Sequence, residues 1–203
     1  MKHLNILLFN GFTTLDALGP AEVFSQLGDR IRIGYFSMAG GPVRGTANLE
    51  IFTRPIEEIE QYDMLLVPGG FGTRQLVDNA DFVKMLKMAA GRSEKVLCVC
   101  TGSALLARTG LLDGKEATSN KLAWDWVIRQ SQSVIWKRNA RWVVDGKFYT
   151  SSGVTAGIDQ ALGFLADTIG SNVAEKVAAG LEYVWNRDKN RDLFAYQNNR
   201  NSS

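Results

Sequence analysis

One histidine, His3, is all the imidazole this chain of 203 residues contains, so the base that most often activates a thiol or hydroxyl nucleophile is missing from nearly its whole length. Cysteine is almost as scarce. Cys98 and Cys100 stand two residues apart, where a disulfide would be badly strained and would close almost no loop. Both are read as free thiols of a cytoplasmic protein. Two thiols without further soft ligands at suitable spacing make no zinc-type centre, and neither a metal nor another cofactor is expected. Charge of one sign is lacking too: 23 basic and 21 acidic residues are scattered to a net +2. No basic stripe argues for nucleic acid, and no basic amphipathic helix argues for a membrane surface. The opening MKHLNILLF is too short for a membrane span and is followed by no small-residue cleavage site. GGFG at 69–72 is neither a Walker loop nor a dinucleotide fingerprint. What remains, 45% hydrophobic and 22% charged residues without repeats or linkers, describes a single globular domain with small-molecule partners. It is expected over residues 1–190, with a polar tail over 191–203.

Short apolar runs alternate with helical patterns. Strands are expected at His3–Phe9, Arg30–Ala39, Asp63–Val67 and Lys95–Val99, and a hairpin near Val43 to Thr53. Three more strands lie between Val134 and Thr150, with Asp145-Gly146 as a turn. Between them fall helices over Leu18–Leu27, with Pro20 in the first turn and Gly28 as its stop, and over Thr101–Thr109 and Leu122–Arg129. Thr155–Ile169 and Val173–Val184 close the pattern. The alternation calls for a doubly wound, mostly parallel α/β sheet covered on both faces, flavodoxin-like. Ligands of such sheets sit beyond the carboxyl ends of the strands. Asn10 to Gly19, Pro68 to Gly72 and Cys100 to Ser103 meet that description.

Cys100 follows an apolar strand and precedes a helix, the place of a nucleophile elbow. A free cysteine is more commonly a small buried hydrophobe. At this position, however, the N–H groups of Thr101 and Gly102 and the positive helix end would lower its pKa. Cys98, inside the strand, reads as core. Asp16 admits two roles: a cap of the first helix, or a carboxyl facing the neighbouring strand end, kept protonated beside a thiolate and serving as proton source. Gly69, Gly70 and Phe71 form either a plain turn or a close-approach loop offering amides to developing negative charge. Trp124 and Trp126 read as core or interface.

Taken together, LLFNGFTTLDALGPAEVF, DMLLVPGGFGTR, VLCVCTGSALLARTGLLDGKEAT and TSSGVTAGIDQAL resemble the PfpI/ThiJ superfamily, the class I glutamine amidotransferase-like fold, and within it the isonitrile (isocyanide) hydratase branch. The resemblance runs from about residue 3 to 185. It implies Cys100 as nucleophile, Asp16 as general acid, and oxyanion-type or substrate-binding positions at Gly70, Phe71, Thr101 and Gly102. The implied reaction hydrates an isocyanide to an N-substituted formamide without a cofactor, in a homodimer. The chain departs from other branches at Thr101, where peptidase-like members carry histidine, and at Asn120, where several cousins have A-T-[ST]-H. Without those histidines, peptidase, amidase and glyoxalase chemistry is disfavoured. The alternative reading is a redox or electrophile-responsive protein acting through reversible oxidation of Cys100.

Overall fold

The computed structural model describes residues 1–196. Its chain order is β1 (Lys2–Leu7), α1 (Thr14–Ser25), β2 (Ile31–Ser37), β3 (Gly41–Arg44), β4 (Glu50–Pro55), β5 (Met64–Val67), α2 (Thr73–Leu76), α3 (Ala80–Arg92), β6 (Lys95–Cys98), α4 (Gly102–Arg108), β7 (Glu116–Ala117), α5 (Trp124–Ile128), β8 (Ile135–Trp136), β9 (Trp142–Asp145), β10 (Phe148–Ser151), α6 (Ala156–Thr168) and α7 (Ser171–Gly180). Eight strands form one sheet in the order β3-β4-β2-β1-β5-β6-β10-β9, with β7 and β8 paired separately. Every pairing from β4 through β2, β1, β5 and β6 to β10 is parallel. The hairpin partners β3 and β9 are antiparallel edges. This is the mostly parallel, helix-flanked α/β architecture that the alternating pattern requires.

The inner strands are short and apolar because both faces are covered: Leu4, Ile6, Leu66, Val96 and Leu97 are fully buried. Helices α1, α6 and α7 pack together on one face and α2 to α5 on the other. Helix α3 shows how local sequence specifies an element. Asn79 caps it by accepting the Phe82 N–H at 3.0 Å, and Phe82, Leu86, Ala89 and Ala90 make the buried stripe. From β1 the chain winds outward to β2 on one side, then returns to β5 and β6 on the other. The crevice between the loops after β1 and β5 is therefore the switch point where such sheets place their ligands.

Three expectations change. Helix α1 begins at Thr14 rather than Leu18, so Asp16 lies in its first turn and Pro20 inside it. An N-cap role for Asp16 is thereby excluded. Thr13 occupies that position, extended and without a side-chain cap bond. The last helix ends at Gly180 instead of Val184, because Glu182 turns to φ +50° and the Tyr183 N–H closes back on the Ala178 carbonyl at 2.9 Å. Residues beyond 184 pack along the body: Asp192 and Ala195 are buried, and the Arg138 Nε donates to the Ala195 carbonyl at 2.7 Å. The part of the expected tail from 197 to 203 lies outside the described residues. Among those described, no helix is long and apolar enough to cross a membrane.

Candidate active site

Four connections, each following a parallel strand, bring their residues together at one end of the sheet: Asp16 in the first turn of α1 after β1, Gly69 and Gly70 after β5, Cys100 after β6, and Val154 after β10. Cys100 sits at φ +56° between β6 and α4. For a residue with a Cβ that left-handed conformation costs about 1–2 kcal/mol, and the surroundings hold it there. Its N–H donates to the Ser152 carbonyl at 3.1 Å. Its own carbonyl accepts the hydroxyls of Ser103 at 3.0 Å and Ser119 at 2.8 Å. Val154, β-branched and at φ +34°, is a second strained residue against the same sulfur.

The N–H groups of Thr101 and Val154 and the Asn120 side chain act on the sulfur in the direction that favours its thiolate. Asn120 is oriented by its other end, since its Oδ1 accepts the Ala123 N–H at 2.8 Å ahead of α5. The amide Nδ2 lies so close to Gly153 that a Cβ there would stand 2.6 Å from it. Behind the sulfur, the Asp16 carboxyl is fully buried. Oδ2 accepts the Gly69 N–H at 2.9 Å, whereas Oδ1 has no conventional hydrogen-bond partner among the described residues. The Cys100 thiol is the side chain that interacts with this carboxyl. A Cβ at Gly69 would meet the Thr101 N at 2.5 Å and Asp16 Oδ2 at 2.9 Å, so glycine is what lets the acid and the thiol share one pocket.

Electrostatics in this cluster differ from the sequence expectation. Burial raises the Asp16 pKa to about 7 against the opposing pull of the Gly69 N–H and the thiol. A protonated acid was expected, but with a neighbouring thiolate as the cause. The Cys100 thiol, expected to be depressed, is instead pushed up to about 12, by burial first and by the Asp16 charge second. Cys100 is only 6% exposed. The Gly102 N–H, counted on for the sulfur, donates to the Val99 carbonyl at 2.9 Å. The amide of Gly70 is similarly committed, to Thr101 Oγ1 at 3.0 Å. Of the amides named from sequence, that of Thr101 favours the thiolate, while Gly70 and Phe71 form a cavity wall. Cys98 is fully buried and burial raises its thiol pKa. The lone His3 bonds Asp63 at 3.2 Å on β1, at the end of the strand away from Asp16.

The cavity over the sulfur measures about 350 Å³ and is lined by Phe71, Arg74, Cys100, Asn120, Leu122 and Val154 among others, at the small end of ligand pockets. Phe71 and Leu122 are 84% and 78% exposed and form its apolar rim. Arg74 and Val154 escaped the sequence reading. Arg74 follows a turn with no motif of its own, and Val154 contributes only a backbone N–H. Among the described residues, no cluster of three histidine, cysteine or acidic side chains offers a metal site.

The family model for DJ-1/PfpI matches residues 2–167. The chain belongs to the DJ-1/PfpI family. Within the DJ-1/PfpI proteins it is 31% identical to an isonitrile hydratase of Pseudomonas putida, over 90% of this chain and 78% of that one. It is 30% identical to the HTH-type transcriptional regulator CdhR of Pseudomonas aeruginosa, over 85% of this chain but only 52% of the regulator. A ThiJ/PfpI family protein from Pseudomonas syringae superposes with a TM-score of 0.80 at 29% identity, covering 90% of this chain and 75% of that one. The DJ-1/PfpI family thus joins an enzyme and a regulator on one fold, and the choice between them rests on the site.

Proposed function

We propose that the protein is a cofactor-free hydratase that converts isocyanides to N-substituted formamides, with Cys100 as nucleophile and Asp16 as proton shuttle. The observation that carries this reading is the buried thiol–carboxyl pair beneath a small, apolar-rimmed cavity, with Asp16 raised to about 7 and no imidazole at hand. A terminal isocyanide carbon accepts a sulfur nucleophile and a proton at the same atom, so one thiol and one carboxyl suffice.

The free site holds its proton on sulfur near neutrality, and ionised Asp16 is the base. As the sulfur attacks the terminal carbon, Asp16 takes the thiol proton and passes it to that carbon, leaving a thioimidate, R–N=CH–S–Cys100. Water then adds across the C=N bond. Breakage of the C–S bond releases R–NH–CHO and returns the proton to sulfur. The Thr101 and Val154 amides and the Asn120 side chain stabilise the sulfur as charge builds on it. Asp16 alternates between base and acid, a role its pKa suits at neutral pH.

The raised thiol pKa weighs against the redox reading, since oxidation proceeds through an accessible thiolate. The regulator relative is matched over only 52% of its own length. Homodimer formation stays with the proposal, on family resemblance. The test offers purified protein several aryl isocyanides and follows formamide absorbance. Turnover that disappears in Cys100→Ala supports the reading, and no turnover above that variant with any isocyanide defeats it.

A further inference from the structure

Arg74 is the one cation in the cavity lining, and no acidic side chain among the described residues pairs with it. Its guanidinium carbon lies 3.4 Å from the centre of the Trp126 ring, a stacked cation–π arrangement that fixes the plane of the fork. Nη1 is buried and has no hydrogen-bond partner among the described residues. The side chain enters no salt bridge among the described residues, unlike Arg44, Arg108, Arg141 and Arg187. Leaving a buried guanidinium donor unpaired is costly, and a guanidinium fork held in one plane matches a carboxylate bidentately. Two other polar lining groups are already committed: Asn120 Oδ1 to the Ala123 amide, and Thr101 Oγ1 to the Gly70 amide. Phe71 and Leu122 offer an apolar rim.

From this geometry we infer that the cavity selects substrates carrying a carboxylate: the reactive carbon at Cys100, an apolar or aromatic body against Phe71 and Leu122, and the carboxylate on Arg74. Resting on the hydratase reading, it names the substrate class as isocyanides bearing a carboxylate, such as an isocyanobenzoate. Recognition of the anion by Arg74 does not itself require that the chemistry be hydration.

The experiment therefore has two arms. In the first, 4-(bromomethyl)benzoate and 4-(bromomethyl)benzamide alkylate Cys100 in wild type, Arg74→Lys and Arg74→Met, with mass spectrometry locating the adduct. The acid is expected to react faster than the amide by roughly tenfold to a hundredfold, the worth of one charge-assisted pair. Arg74→Met should erase the preference and Arg74→Lys should keep part of it. In parallel, 4-methylbenzoate should raise the thermal midpoint of wild type where 4-methylbenzamide does not, a comparison that needs no variant and no reaction. In the second arm, 4-isocyanobenzoate and its carboxamide are compared as substrates. An absent acid preference in both alkylation and thermal shift, or one that Arg74→Met leaves intact, overturns the inference whatever the isocyanides do. Acid preference without isocyanide turnover would remove the hydratase reading and leave anion selection standing.

Discussion

Replacing Asp16 by asparagine should make the protein more stable at alkaline pH while disabling it. In the folded chain the Asp16 carboxyl is fully buried and its pKa rises from the ordinary 3.8 to about 7, with burial the largest cause. Folding therefore favours the protonated acid. That contribution is complete below pH 3.8, fades as pH climbs through the interval up to 7, and is gone above it. At ~1.4 kcal/mol per pH unit, the folded state at pH 8 is about 4 kcal/mol worse off than it would be with a permanently neutral group. Asparagine is such a group, nearly isosteric, and its Oδ1 can still accept the Gly69 N–H. Denaturant titration of wild type and Asp16→Asn from pH 4 to 9 should show near-equal stability at the acid end. The variant should gain with pH toward that ceiling of about 4 kcal/mol, which for a chain of this size is about 8–16 °C in thermal midpoint. A variant less stable than wild type at pH 8, or a gap that ignores pH, would refute the assignment of a buried, destabilised carboxylate.

The pH profile of Cys100 alkylation should rise through about pH 7 in wild type, as Asp16 ionises and becomes able to take the thiol proton. In Asp16→Asn that rise should vanish and reactivity appear only at strongly alkaline pH, where the buried thiol itself ionises; a single unchanged curve for both proteins would exclude the shuttle. Turnover of an aryl isocyanide should fall by about 10²–10⁴ in Asp16→Asn, the usual worth of a positioned acid–base group, with the larger effect in kcat. Gly69→Ala drives a methyl into the Thr101 N and Asp16 Oδ2 and should cost about 1–3 kcal/mol of stability by overpacking together with nearly all activity; a fully active variant would show the loop to be slack. Arg141→Met strands the buried Asp159, now paired at 2.8 Å, and should destabilise by about 3–5 kcal/mol, measured by urea midpoint.

The alternation of apolar strands with amphipathic helices was enough to specify a parallel sheet, because a strand buried on both faces must be apolar throughout, as Lys95–Cys98 is nearly. Strand-end loops followed from the same pattern, and with them the neighbourhood of Asp16, Gly69 and Cys100. Helix α1 starts four residues before the expected Leu18, since Pro20 has the sequence context of a first-turn proline and only tertiary packing carries it inside the helix. Arg74 stayed invisible because its partner, Trp126, lies 52 positions away in sequence and only the fold stacks the two.

Composition and periodicity by themselves determined that this is an α/β protein with a free cysteine at a strand end, an acid at another, and no histidine to serve them. Only the tertiary structure decided how those groups behave. A pKa depends on how much water is removed and which dipoles remain, and neither quantity is local in sequence. Burial therefore placed the proton on sulfur and made Asp16 a carboxyl near neutrality, where the order of residues alone pointed to a thiolate.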